Sequence, residues 1–374
     1  SAFPANLQIS IASRATNTFL LIHKSYPMNR IHSFDLARGF TVLFIPAIHT
    51  GMLYSQLSVH QTGLGQLLIA IAEGPGGQML MLLMGLSFTL KQEHSTASVL
   101  LKSAALLASG YLLNILKFVV PHSLGMLPDE VLGELEITGK GTAVWRLIGM
   151  GDILHFAGLI LPLLHWLYKS KRYPLWALLG TFSTMVISPL LWDIHSFHWV
   201  PGYVFGLFTG HPPRVFFPVF PWLVYPLAGL FIGYYFRQHQ RDTILLCGLI
   251  GTLLFAIGLL GSHYFPADNP AGFYRTPLPA TCWHLGIVLL MLGMWHWIVK
   301  HVKDNKLFQL LTYSSKNITA VYIIQWVLIC WMLPVFGFRR LNTFQSAIVM
   351  LLMTLITYLL TYGFQRIKYR YGNR

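Results

Sequence analysis

The sequence predicts an all-α polytopic integral membrane protein with about ten transmembrane helices and with its N and C termini on the cytoplasmic side. Three observations carry this. Apolar runs near twenty residues recur along almost the whole 374-residue chain. Only 10% of its residues are charged, against about 25% in a soluble domain. The runs are continuous rather than alternating, which favours helices over a β-barrel.

The spans are read in order as 35–55, 64–90, 98–120, 144–168, 174–195, 215–236, 243–262, 280–300, 312–335 and 344–365. The first opens Asp35-Leu36-Ala37-Arg38-Gly39 and continues to His49. The second is long and interrupted by Glu73-Gly74-Pro75-Gly76-Gly77. Such a break leaves backbone groups unpaired, which a membrane tolerates only against protein or a wet cavity. After the third span comes an acidic loop, 121–143, with Asp129, Glu130, Glu134 and Glu136. The fourth holds Gly151-Asp152-Ile153-Leu154-His155, with Arg146 nearer its outer end. The sixth opens Phe217-Pro218-Val219-Phe220-Pro221-Trp222, an aromatic interfacial cluster. Arg275 and Cys282-Trp283-His284 mark the outer end of the eighth. Loops 121–143, 196–214 and 263–279 are long enough to fold over a site on the outer side.

Loop charges give the orientation. With the N terminus cytoplasmic, sixteen Lys and Arg residues fall in inside loops and termini and five in outside loops. The net charge of +14 therefore sets topology and does not indicate nucleic acid. Residues 28–374 read as one transmembrane domain. Residues 1–27 hold neither a spanning run nor a signal-peptide pattern and are read as a peripheral N-terminal extension before Met28-Asn29-Arg30. Cys247, Cys282 and Cys330 form no CxxC pair and read as core packing.

The candidate site begins with Arg38 and His49. Eleven residues at about 100° each come within about 20° of three full turns, so both side chains leave one face, about 16 Å apart. An arginine suits a phosphate, and Gly39 beside it permits close approach of a ligand or helix. An imidazole titrates near neutrality and suits proton transfer. A pantetheine arm, on the order of 15–20 Å long, roughly matches the three-turn rise. His60 lies another eleven residues on. Glu73 is an intramembrane carboxylate, a functional candidate by default. Asp152 and His155 stand one turn apart, and Asp152 is read as orienting a histidine or ligand, or as pairing structurally. Asp35 is the i+3 partner of Arg38. No HxxxH or HExxH spacing lies on a span, so no metal is expected. Asn317-Ile318-Thr319 matches a glycosylation sequon but falls near the cytoplasmic face in this topology.

The segment Arg30-Ile31-His32-Ser33-Phe34-Asp35-Leu36-Ala37-Arg38-Gly39 resembles the opening of the transmembrane acyltransferase superfamily. That superfamily includes the acyltransferase-three O-acylators and the heparan-alpha-glucosaminide N-acetyltransferase family. The Arg38–His49 spacing is similar to the acyltransferase-three motif. Gly85-Leu86-Ser87, the Phe217–Trp222 cluster and Ser315-Lys316-Asn317 with Tyr322 resemble further landmarks, so the likeness covers most of residues 28–365. The glucosaminide branch is the closer one. By spacing, His60 falls where that branch has the histidine that handles the acetyl group, and His49 falls where acyltransferase-three proteins place theirs. The loop after His60 departs from the Trp and Asp expected of the glucosaminide branch.

What the resemblance implies is transfer of an acyl group, acetyl before others, from cytoplasmic acyl-CoA to a hydroxyl or amine of a sugar-like acceptor on the outer side. Arg38, Asp35 and Gly39 would meet acyl-CoA. His49, His60, Glu73 and Asp152 would carry the chemistry, and His155, Arg275, His284 and Trp222 the acceptor. Expected partners are the lipid bilayer and a small-molecule or glycan acceptor, with room for a homodimer and none for nucleic acid. The expected location is a bacterial inner (plasma) membrane. The rival reading is a proton-coupled transporter or flippase that uses Glu73 and the intramembrane histidines.

Overall fold

The first helix among the described residues, α1 (His32–Tyr54), is the element around which the site is assembled. The structure, a computed structural model, describes residues 31–91, 94–137, 140–192, 194, 199–210, 213–265 and 272–372. The expected extension, residues 1–27, lies outside the described residues.

Eight helices among the described residues are long and apolar enough to cross a membrane. They are α1, α2 (Gly63–Leu90), α3 (Thr96–Ser123), α6 (Tyr173–Leu191), α7 (Val219–Gln238), α8 (Gln240–Tyr264), α9 (Leu278–His301) and α12 (Thr343–Arg370). Between them lie α4 (Lys140–Ile148), α5 (Ile153–Tyr168), α10 (Lys306–Lys316) and α11 (Ile318–Trp331). The ten expected spans thus resolve into eight helices of spanning length and two shorter apolar ones, α5 and α11.

The two short helices arise because two expected spans are broken. The stretch 144–168 divides between Ile148 and Ile153. The Asn114 amide takes up the freed carbonyls of Ile148 and Met150 at 2.9 and 2.7 Å. Gly151 exchanges backbone hydrogen bonds with Arg214 and Phe216. Asp152 is therefore not inside a helix; it is the N-cap of α5. The stretch 312–335 divides at Asn317, whose side chain and backbone N–H both return to Tyr313 O. These compensations are what apolar surroundings demand of a broken helix.

α2 is bent by one π-type turn over Ala72–Gly76. Pro75 has no N–H to offer, so a carbonyl one turn back loses its partner. The Thr41 hydroxyl of α1 donates to Pro75 O at 3.3 Å, and Gln78 Nε2 donates to Glu73 O at 2.9 Å. A second π-type turn, Ile115–Val119, interrupts α3 and carries Lys117.

Small residues let these helices meet closely, as in other membrane bundles. α10 packs against the start of α1, and a Cβ placed on Gly39 would stand 1.9 Å from Leu311 O. The second half of α2 lies along α7, where Gly85 faces Pro226 O and Gly229 faces Leu82 O. α11 and α12 flank the later turns of α1, and Tyr54 donates to Ile329 O at 2.6 Å.

Candidate active site

α1, both halves of α2 and the start of α11 enclose a cavity of about 660 Å³. Arg38, His49, His60 and Glu73 all line it, together with Ser87 and Tyr322. Most of the remaining wall is apolar, including Ile45, Ile48, Met81 and Met84.

Arg38 points from the second turn of α1. Its guanidinium donates to Ser87 Oγ at 3.0 Å and lies 4.0 Å from Asp35 Oδ1. Asp35 itself is buried and accepts from the Ser315 hydroxyl at 3.0 Å. Asp35 therefore positions the arginine from behind and is not among the residues lining the cavity. Gly39 is not among them either; its open side receives the backbone of α10.

His49 is fixed on two sides. Its ring stacks on Trp326 with centroids 4.1 Å apart and an interplanar angle of 25°. Its Nδ1 stands 3.1 Å from Gln325 Oε1. Gln325 Nε2 donates to Tyr322 O, which can only accept, so Oε1 must face the imidazole. The imidazole then donates from Nδ1, and Nε2 keeps the basic lone pair.

His60 sits in a short 3₁₀ turn, Leu57–Gln61, after α1, and Gln66 Nε2 donates to its carbonyl at 2.8 Å. Glu73 lies on the π-type turn of α2. Among the described residues Glu73 forms no ion pair, in contrast to Asp152.

Asp152 lies behind Tyr322. The tyrosine hydroxyl donates to Asp152 Oδ1, which also accepts from Ile153 N at 2.6 Å. Lys117 Nζ meets Oδ2 at 2.7 Å, and both side chains are buried. The same ammonium lies 4.7 Å from the Trp326 ring centre, on the indole that stacks with His49. Asp152 thus reaches the cavity through Tyr322 and makes no direct hydrogen bond to His49.

The residues expected to meet the acceptor lie outside the cavity lining. His155 closes a capping box with Asp152, and its buried ring packs on Tyr111 at 4.5 Å. Trp222 is buried and donates to Tyr274 O at 3.1 Å. His284 packs edge-on to Phe273 at 6.1 Å. Phe273 and Tyr274 line the cavity, so Trp222 and His284 support its wall from behind. Arg275 is half-buried beside Gly210. Sequence reasoning missed Lys117, Gln325 and Trp326 as neighbours of the histidine. Lys117 alone left a signal, as a lysine within an apolar run. No cluster of three or more candidate metal ligands occurs among the described residues.

Eight helices of spanning length, with a cavity lined by ionisable side chains among them, define an integral membrane protein. The family model of the heparan-alpha-glucosaminide N-acetyltransferase catalytic domain matches residues 30–265, and the chain belongs to that family. Membership implies a membrane N-acetyltransferase that uses acetyl-CoA as co-substrate. No curated protein matches the chain.

Proposed function

We propose that the protein transfers an acetyl group from acetyl-CoA, taken up on the cytoplasmic side, to an amine or hydroxyl of a sugar-like acceptor on the outer side. The observation that carries this reading is one cavity lined by Arg38, His49 and His60. The family supports the donor and a glycan acceptor, and the positive-inside bias supports the orientation.

The wall chemistry suits coenzyme A. Arg38 would hold a phosphate; its guanidinium fork matches phosphate oxygens, and 22% of its side chain stays accessible. The apolar stretch Ile45, Ile48, Met81 and Met84 suits an uncharged pantetheine arm. Acetyl-CoA supplies an activated thioester. His49 Nε2 would take the proton of the attacking acceptor while Gln325 and Trp326 hold the ring. Glu73 would balance the imidazolium charge, and His60 would meet the acceptor. The apolar wall limits water that would otherwise hydrolyse the thioester.

The test is thioester consumption by purified protein with glucosamine as acceptor. His49→Ala should lower kcat by about 10²–10⁴-fold, and His60→Ala should chiefly raise KM for the acceptor. Full turnover in both variants would rule the mechanism out. Acetyl-CoA should also raise the melting temperature.

A further inference from the structure

Tyr322 lines the cavity, yet its phenolic proton is already committed to Asp152 Oδ1. The carboxylate is paired through its other oxygen with the buried ammonium of Lys117, 2.7 Å away. A carboxylate in such a pair only accepts. Tyr322 therefore has no proton to give the cavity, and toward a bound group its oxygen can only accept. His49 is in the same state, because its Nδ1–H goes to Gln325 and its Nε2 keeps a lone pair. The two ring centres stand 6.2 Å apart, edge to face, and both residues line the cavity.

We infer that Tyr322 and His49 form a two-acceptor cradle for the two N–H bonds of a primary amine, and that Tyr322 is the residue that sets N-transfer over O-transfer. This rests on the acetyl-transfer reading of the cavity. Tyr322 lies beyond the residues matched by the family, 30–265. In the step, the amine nitrogen forms its bond to the acetyl carbon and the carbon–sulfur bond breaks. One amine proton passes to His49 Nε2 and on to the departing thiolate, giving free coenzyme A. The other N–H stays in the amide product, hydrogen-bonded to the Tyr322 oxygen throughout. A hydroxyl acceptor has one O–H. Given to His49, it leaves the Tyr322 oxygen facing another oxygen lone pair, an unsatisfied contact in a buried site.

The experiment compares glucosamine with glucose as acceptors, using acetyl-CoA and purified protein, with thioester hydrolysis subtracted. Tyr322→Phe should lower the glucosamine-to-glucose ratio of kcat/KM by about 10-fold, the worth of one buried hydrogen bond. KM for acetyl-CoA should not move. Asp152→Asn is the second variant. Its amide oxygen would turn to Lys117 and its NH₂ would face Tyr322, at the loss of the Ile153 N–H bond, and the phenol proton would be released toward the cavity. The same fall in ratio is expected with the phenol still present, which a merely structural role does not produce. Retained acetyl-CoA-induced thermal stabilisation identifies variants with an intact site. An unchanged ratio, or equal losses on both acceptors, in a variant that keeps this stabilisation would overturn the assignment of Tyr322 alone. A wild-type protein that consumes no thioester with either acceptor would overturn the acetyl-transfer reading and this inference with it.

Discussion

Lys117→Met is the most informative single perturbation of the fold. Lys117 and Asp152 have side chains 4% and 6% exposed and meet at 2.7 Å. Removing the ammonium leaves a buried carboxylate with two neutral donors, the Tyr322 hydroxyl and the Ile153 amide. Breaking one partner of a buried pair costs about 3–5 kcal/mol, and the two remaining donors place this case near about 3 kcal/mol. Asp152→Asn leaves the cation a neutral amide oxygen in place of a carboxylate, with the Trp326 and Phe118 rings at 4.7 and 4.9 Å as partial compensation worth about 1 kcal/mol. The double variant removes both charges and should cost less than either single change, since hydrophobic replacement of a buried pair is often about neutral. A coupling energy of about 3 kcal/mol or more is therefore expected from the cycle. The assay is equilibrium unfolding of the four proteins in one detergent. Single variants that each lose under about 1 kcal/mol, or losses that simply add, would refute the reasoning.

Three further outcomes follow from the packing and the cavity. Gly39→Ala puts a Cβ 1.9 Å from Leu311 O, a backbone atom that cannot rotate away; it should destabilise by about 1–3 kcal/mol in the same assay. Gly363→Ala meets nothing within 4 Å and should be neutral or stabilising by up to about 1 kcal/mol. Arg38→Lys keeps the charge but loses the planar fork that meets Ser87; KM for acetyl-CoA should rise about 10-fold with kcat little changed, because a point charge replaces a bidentate donor. An unchanged KM would remove Arg38 from the donor site.

Much of the fold was legible because a membrane leaves a helix few alternatives. Hydropathy located all eight spanning-length helices, and Glu73-Gly74-Pro75-Gly76-Gly77 marked the bend in α2. The breaks at Gly151 and Asn317 were not legible. Each depends on a partner far along the chain or on a local side chain that replaces lost backbone bonds: Asn114 for Ile148 and Met150, Asn317 for Tyr313. A hydropathy window averages Gly151-Asp152 and Ser314-Ser315-Lys316-Asn317 into the apolar residues on either side, so it sees one span where the backbone makes two helices.

Helical periodicity shows which residues share a face, and it brought Arg38 and His49 to one cavity wall. It carries no information about which other helix faces them. That is why Gly39 read as part of the acyl-CoA site, whereas its open side receives the backbone of α10 at Leu311. It is also why Asp152 read as a candidate partner of the histidine. The interposed residue is Tyr322, which lies 170 positions away in sequence from Asp152. The intervening phenol changes the chemistry available. A carboxylate facing the cavity would draw cations and exchange protons with solvent. Behind Tyr322 and paired with Lys117, it fixes the direction of one hydroxyl proton and leaves the cavity an acceptor without a charge.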